Sequence, residues 1–511
     1  MTQNLHHDRS ILVPTAHLTI DPAFPIAPVN RRTFGTFVEH MGRCVYTGIY
    51  EPDHATADED GFRKDVLELT RELGVSVVRY PGGNFVSGYR WEDGVGPRED
   101  RPRRLDLAWH SVETNEFGLD EFMRWCAKAG VEPMMALNLG TRGVQEALDL
   151  LEYSNHPGGT ALSDLRAEHG ASPYGVKLWC LGNELDGPWQ VGHKTPTEYG
   201  RIAAETARAM RMVEPDLQLV ACGSSSSKMP LFGTWEREVL RETYEFVDYI
   251  SCHAYYGNDD GDTASFLASA VDMDHFVDSV TATADHVGAE LKSRKRIDIS
   301  FDEWNVWYGD RSTRTDGPGD QWEVAPRRIE DEYNVTDAVV LGNLLISLLR
   351  HSDRVAVACL AQLANVIAPI MTEPGGAAWR QPTFHPFAIT SRLASGQVLR
   401  VETDSPTVTT AKHGEVTAID AVATYDDGRL ALFAVNRSTE GPIEITVDLG
   451  RAGVTSIDEA VIVHDIDPLA TNSATAPDRV SAQHFDSAQL KDGKLTLTLP
   501  AISWCALSLS A

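Results

Sequence analysis

VKLWCLGNE, residues 176–184, is a short apolar run that ends on two polar side chains, Asn183 and Glu184. Such a run reads as a strand of a buried parallel sheet. The same grammar recurs on either side of it. Upstream lie TFGTFVE (33–39), SVVRY (76–80) and EPMMALN (132–138); downstream lie LQLVACG (217–223), VDYISCHAY (247–255), IDISFDE (297–303) and VAVACLAQ (355–362). Amphipathic stretches separate them: Phe62, Val66, Leu69 and Leu73 repeat at helical spacing, as do Leu119, Phe122 and Cys126 before Gly130, and Val335, Val339 and Leu344. Strand and helix alternate from about Thr33 to about Gln362, and eight strands is the number that closes an α/β barrel of the (β/α)8 TIM type.

Beyond about Ser391 the pattern changes to short alternating runs such as ATYDDGRLALFAVNR and LKDGKLTLTLP. Asp427-Gly428 and Asp492-Gly493 are hairpin-turn signals, so an all-β sandwich, jelly-roll-like, is expected here. ILVPTAHLTI (11–20) also alternates and is expected to pair into that sandwich. The expected division is a strand segment at 1–30, a barrel at 31–390 and a β-sandwich at 391–511. His6 and His7 read as solvated residues of a terminal tail.

The composition, 42% hydrophobic and 23% charged, is that of an ordinary globular protein. A formal charge of -29 disfavours nucleic acid and anionic membranes as partners and leaves a small neutral or cationic substrate. The opening residues lack a basic start followed by an apolar run, and no stretch is long enough to span a bilayer, so a cytoplasmic location is expected. The seven cysteines form no CxxC pair and read as small buried hydrophobes. With no HExxH, no cysteine cluster and no P-loop, neither a metal nor an organic cofactor is expected, and the serine run Ser224–Ser227 has no nucleophile-elbow pattern.

Several predicted strands end in polar residues: Glu39, Asn138, Asn183-Glu184, Tyr255, Glu303 and Gln362. In a barrel of this type the carboxyl ends of the strands form the face that binds substrate. Glu184 and Glu303 end strands four and seven, and two such ends can face one another across one mouth. Hydrolysis of a glycosidic bond with retention needs two carboxyl groups about 5 Å apart, one protonated and one ionised. Asn183 is placed to donate to a sugar hydroxyl. The loop from Tyr308 to Asn334 is unusually long for a βα connection and is either a lid or disordered.

WCLGNELDGPW around Glu184 and SFDEWNVWY around Glu303 resemble glycoside hydrolase family 51, the α-L-arabinofuranosidases. RYPGGNFVSGYRWEDGVGP (79–97), RPRRLDLAWHSVETNEFGLDEF (101–122) and QLANVIAPIM (362–371) are similar to that family's motifs, and the likeness runs from about Phe34 to about Pro386. The resemblance implies Glu184 as general acid/base and Glu303 as nucleophile of an exo-acting, retaining enzyme that releases arabinofuranose from arabinoxylan or arabinan fragments. It implies Glu39, Asn84, Asn183, Tyr255 and Gln362 as sugar-binding residues, with Glu39 a charged acceptor for the hydroxyls. His253 is grouped with these, and Trp109 and Trp307 are candidate walls. Tyr255, two residues after His253, is placed to hydrogen-bond Glu303 and so lower its proton affinity. Asn84 alternatively belongs to a tight turn, and Gln362 alternatively caps a helix. The family also implies a homo-oligomer, often a hexamer. Departures near 385–387 and 308–334 leave linkage preference open. An endo-acting glucanase or xylanase with the same carboxylate pair, or a non-catalytic carbohydrate-binding protein, remain alternatives.

Overall fold

The computed structural model describes residues 13–309 and 322–511. His6, His7 and the middle of the 308–334 loop lie outside the described residues.

Eight parallel strands close into a barrel: β1 (Gly35–Phe37), β2 (Val77–Tyr80), β3 (Glu132–Ala136), β4 (Leu178–Cys180), β5 (Gln218–Ala221), β6 (Tyr249–Tyr256), β7 (Asp298–Val306) and β8 (Val355–Ala361). Each overlaps one of the eight apolar runs, because a strand covered by helices outside and side chains inside has no solvent face and must be apolar throughout. The ends differ in a way that matters for function. β4 stops at Cys180, four residues before Glu184, whereas β7 continues three residues past Glu303.

The predicted helical faces form helices at Lys64–Leu73, Leu119–Ala129 and Val335–Arg350. The first two end on Gly74 and Gly130, both left-handed, as helix C-termini commonly do. Helix Val335–Arg350 is buried along nearly its whole length because it lies between the barrel and the C-terminal sheet. A β-carbon at Gly342 would meet the Trp504 side chain of that sheet at 2.3 Å, so only glycine allows this contact.

The C-terminal part is all-β. Nine of its strands and the N-terminal strand Thr15–Pro28, which joins them as expected, are hydrogen-bonded into one ten-stranded sheet. The sheet curls until its two ends approach one another, and its inner faces enclose a core that includes Leu18, Leu432, Ile445 and Leu507. Thr15–Pro28 pairs antiparallel with Gln397–Asp404 and parallel with Ile443–Asp448. Asp427-Gly428 and Asp492-Gly493 are hairpin turns with both residues at positive φ, the geometry that matches the twist of the flanking strands.

Candidate active site

Two local departures from regular structure build the site. After β4 the chain passes Gly182 at φ 106° and reaches Glu184 at φ 42°, a left-handed conformation that costs a non-glycine residue roughly 1–2 kcal/mol. Bonds from Gly187 N to Glu184 O (2.9 Å) and from Lys194 N to Leu185 O (2.8 Å) hold the turn. On β7 the ladder slips by one residue against both neighbours: Ser300 and Glu303 pair with Ser251 and His253, and Phe301 and Trp304 pair with Ala358 and Leu360. This bulge turns two consecutive carboxylates, Asp302 and Glu303, into the barrel, where strict alternation would admit one.

A carboxylate oxygen of Glu184, one of Glu303 and a ring nitrogen of His253 lie within 4.8 Å of one another. Glu303 Oε1 accepts from Arg79 Nη1 (2.6 Å) and Oε2 from the Tyr255 hydroxyl (2.8 Å). Glu184 Oε1 pairs with His253 Nδ1 (2.9 Å), and Oε2 accepts from Trp189 Nε1 (2.8 Å). His253 Nε2 pairs with Asp302 Oδ1 (2.9 Å). Arg79 Nη2 also donates to Asn183 Oδ1 (2.7 Å), so one buried guanidinium orients the nucleophile candidate and the residue before the acid candidate.

Beside the carboxylates opens a cavity of about 460 Å³. Glu39, Asn84, Trp109, Tyr255, Trp307 and Gln362 line it together with Glu184 and Glu303. Asn84 serves both of its expected readings: it starts the short helix Asn84–Gly88 after the Pro-Gly-Gly turn, and it faces the cavity. The glycines are there for space. A β-carbon on Gly83 would stand 2.9 Å from Glu303 Oε1, and one on Gly82 would stand 2.7 Å from Glu39 Cγ. Gln362 caps no helix; its amide nitrogen donates to Glu39 Oε2 (3.2 Å), and its carbonyl oxygen has no protein partner.

Asn183 and His253, expected to touch the sugar, do not line the cavity. Both are buried, 1% and 2% exposed: His253 has its two ring nitrogens on Glu184 and Asp302, whereas Asn183 has Oδ1 on Arg79 and its Nδ2 3.4 Å from Oδ1 of the cavity-lining Asn84. Asn138 is structural, donating to Tyr89 O and Thr141 Oγ1. Conversely, Arg79, Trp189, Ser225, Ser226 and Asp302 escaped the sequence reading. Arg79 and Trp189 stand inside the quoted motifs, but no spacing rule picks one arginine or tryptophan from its neighbours. The described end of the 308–334 segment returns to the cavity, where Ile329 lines it, and is anchored by the buried pair Arg43–Glu330 (2.7 Å).

Burial dominates the electrostatics. It pushes the Glu303 carboxyl up, and Glu184 adds to the rise, while His253 and Arg79 oppose it; the net direction is upward. Tyr255 donates the hydrogen bond expected of it and opposes the rise, but one hydrogen bond does not offset desolvation. Glu39 is pushed up to about 8 by burial and the nearby Glu303 and Asp106 charges, against hydrogen bonds from Phe85 N and Trp109. Three donors, Phe85 N, Trp109 Nε1 and Gln362 Nε2, nonetheless use it as an acceptor. His253 is also raised, to about 10: burial opposes the cation, but Glu303, Asp302 and Glu184 outweigh it.

A measurable pH dependence follows from Glu39. Its folded value lies above the ordinary 4.5, so the stability present below about pH 4.5 is lost as pH rises toward 8. Glu39→Gln removes this dependence. Relative to wild type the variant should gain up to roughly 5 kcal/mol between those pH limits, at about 1.4 kcal/mol per pH unit. Parallel denaturation curves for the two proteins at pH 5 and pH 8 would reject the assignment.

The donor set Glu184–His253–Glu303 is compact enough for a metal ion. A doubly protonated imidazole has no lone pair to offer, however, and Arg79, Tyr255 and Trp189 already occupy the carboxylates. The second acidic group, Asp58–Glu59–Asp60, already has a cation at its centre: Lys128 Nζ lies 2.7–2.8 Å from all three.

Residues 69–276 match the model of an α-L-arabinofuranosidase 1 domain, and residues 302–503 match that of an α-L-arabinofuranosidase C-terminal domain. An intracellular exo-α-(1→5)-L-arabinofuranosidase of Streptomyces lividans is 61% identical over 494 residues, covering 96% of this chain and 74% of that protein. An exo-α-(1→6)-L-arabinofuranosidase of Bifidobacterium longum is 53% identical, covering 99% of each. The structure of a family 51 α-L-arabinofuranosidase from Bifidobacterium longum superposes with TM-score 0.93 at 50% identity, covering 97% of this chain and 99% of that one. A xyloglucanase of Paenibacillus polymyxa, at 12% identity and TM-score 0.59, shares the fold alone.

Proposed function

The chain belongs to the α-L-arabinofuranosidases of glycoside hydrolase family 51, and from that premise we propose that it removes single terminal α-L-arabinofuranosyl residues with retention, using Glu184 as acid/base and Glu303 as nucleophile. The observation that carries this reading is the approach of the two carboxylates to within 4.8 Å, which suits direct attack and leaves no room for an intervening water. Glu303 attacks the anomeric carbon as Glu184 protonates the departing oxygen. Glu184 then takes a proton from water, which opens the glycosyl ester and restores Glu303. No step requires a cofactor. Glu39, Asn84 and Gln362 hold the ring hydroxyls, and Trp109 and Trp307 wall the ring.

The relatives are named for both (1→5) and (1→6) linkages. We assign this chain to arabinan- and arabinoxylan-derived oligosaccharides, with rates on (1→5)- and (1→6)-linked substrates the measurement that orders the linkages. The endo-glucanase alternative has only a fold likeness behind it. Glu184→Ala tests the acid/base role. On alkyl or sugar leaving groups it should lose about 10²–10⁴ in kcat/KM, and on a dinitrophenyl arabinofuranoside very little. Azide should restore turnover and yield the α-arabinofuranosyl azide. A loss that ignores the leaving group would remove Glu184 from the role.

We place the enzyme inside the cell, as relatives named intracellular are, and among the described residues no helix is long and apolar enough to cross a membrane. We further propose a homo-oligomer, with a hexamer the expected species in sedimentation velocity. A single monomeric boundary at micromolar concentration would refute it.

A further inference from the structure

Behind Glu184 runs a chain of two short contacts, Asp302 Oδ1 to His253 Nε2 and His253 Nδ1 to Glu184 Oε1, both 2.9 Å. The two oxygens of Glu184 are not equivalent. Oε1 meets His253, which is 2% exposed and does not line the cavity; Oε2 meets Trp189, which is half-exposed and does. A leaving group can therefore be protonated only from the Oε2 side.

We propose that Asp302 is a positioning residue: by accepting a hydrogen bond from His253 Nε2 it keeps the ring doubly protonated, so that the acidic proton of Glu184 is confined to Oε2. The alternative is unproductive. A neutral ring with hydrogen on Nε2 alone would present a bare Nδ1, and the Glu184 proton would settle on Oε1, pointing away from substrate. With Nδ1–H donating to Oε1, the proton sits on Oε2. It passes to the glycosidic oxygen as the bond to the anomeric carbon breaks and the bond from Glu303 forms. The resulting Glu184 carboxylate then faces the imidazolium, which stabilises it until water returns a proton.

The surroundings of Asp302 suit a permanent anion. It is fully buried, Oδ2 accepts from Ser300 Oγ (3.1 Å), and Arg79 Nε lies 4.0 Å away. Burial raises its proton affinity, but Arg79, His253 and Ser300 outweigh that and hold it below the usual carboxylate range. The charged and titratable groups facing His253 are Glu184 from the loop after β4, Asp186 further along that loop, and Asp302 and Glu303 from β7, with Arg79 on β2 beyond Asp302. With Glu184 carrying its proton, Asp302 at 2.9 Å and Glu303 at 3.6 Å are the carboxylates that favour a cationic ring. The β7 bulge is what makes this possible, because it lets Asp302 reach His253 while its neighbour Glu303 faces the sugar.

The inference rests on Glu184 being the acid/base, and the test separates the two. Asp302→Asn preserves shape and removes charge. It should lower kcat/KM about 100-fold on alkyl arabinofuranosides but less than about threefold on the dinitrophenyl substrate, which needs no acid. The alkaline limb of its pH profile should move to lower pH, since His253 now loses its proton earlier. Glu184→Ala in the same leaving-group series serves as control. If Glu184→Ala is steep and Asp302→Asn is flat, the Asp302 role fails alone; if both are flat, the acid/base assignment fails first. In wild-type enzyme, ¹⁵N spectra assigned by difference with His253→Gln should show both ring nitrogens protonated from about pH 6 to 8. A neutral ring there overturns the proposal whether or not Asp302→Asn folds.

Discussion

Glu303→Ala should reduce turnover of an aryl arabinofuranoside by at least about 10⁴-fold, because it removes the carboxylate proposed to bond the anomeric carbon. The neighbouring structure should survive. Arg79 loses one partner but retains Asn183 Oδ1 at 2.7 Å and the Asp302 charge at 4.0 Å, so no buried cation is left alone. Azide should rescue part of the rate by occupying the vacated space, and the azide product should now be inverted, β where Glu184→Ala gives α. The two variants thus report the two faces of one sugar. Hydrolysis by Glu303→Ala within tenfold of wild type would show that some other group attacks.

The second large effect is expected on both stability and activity. Arg79 is 1% exposed, bonds Glu303 and Asn183, stands 4.0 Å from Asp302 and lies over the Phe37 ring with its guanidinium carbon 4.8 Å from the centroid. Arg79→Met fills similar volume but leaves two buried carboxylates without their guanidinium. Breaking a buried pair in this way costs about 3–5 kcal/mol. The activity should fall with a specific signature. Losing the cation raises the proton affinity of Glu303 further above its already raised value, so the acidic limb of kcat/KM moves to higher pH. Denaturant unfolding and a pH–rate profile check the two halves separately. An unfolding free energy within 1 kcal/mol of wild type, together with an unmoved acidic limb, would show that Asp302 and Glu303 do not depend on Arg79.

The fold was legible because each barrel strand is closed off from water on both sides, which leaves an apolar run that any reader of hydrophobicity can count. The hairpins were legible for a different reason: Asp-Gly tolerates two consecutive positive φ values and few other dipeptides do. The ten-stranded curled sheet was not, because alternation specifies that a strand has one buried face and says nothing about which strands hydrogen-bond across a bend.

At the site, the polar residues closing apolar runs pointed to Glu39, Glu184, Tyr255, Glu303 and Gln362, all of which line one cavity. Asn183 and His253 stand close to these places in the chain, yet neither lines the cavity. Their direction depends on the turn after β4 and on pairing beside the β7 bulge, and neither leaves a mark in residue type.

What the sequence determined by itself, then, is the barrel, the presence of a β domain and the choice of the two carboxylates proposed to react, since strand period, turn chemistry and motif are properties of neighbouring residues. What only the tertiary structure decided is the electrostatic surroundings of the site: the raised proton affinities of Glu39 and His253, and Asp302 and Arg79 placed beside Glu303. Proton affinity is set by burial and by charges a few ångströms away, and here those charges come from β2, the loop after β4, β6 and β7, as many as 224 residues apart along the chain.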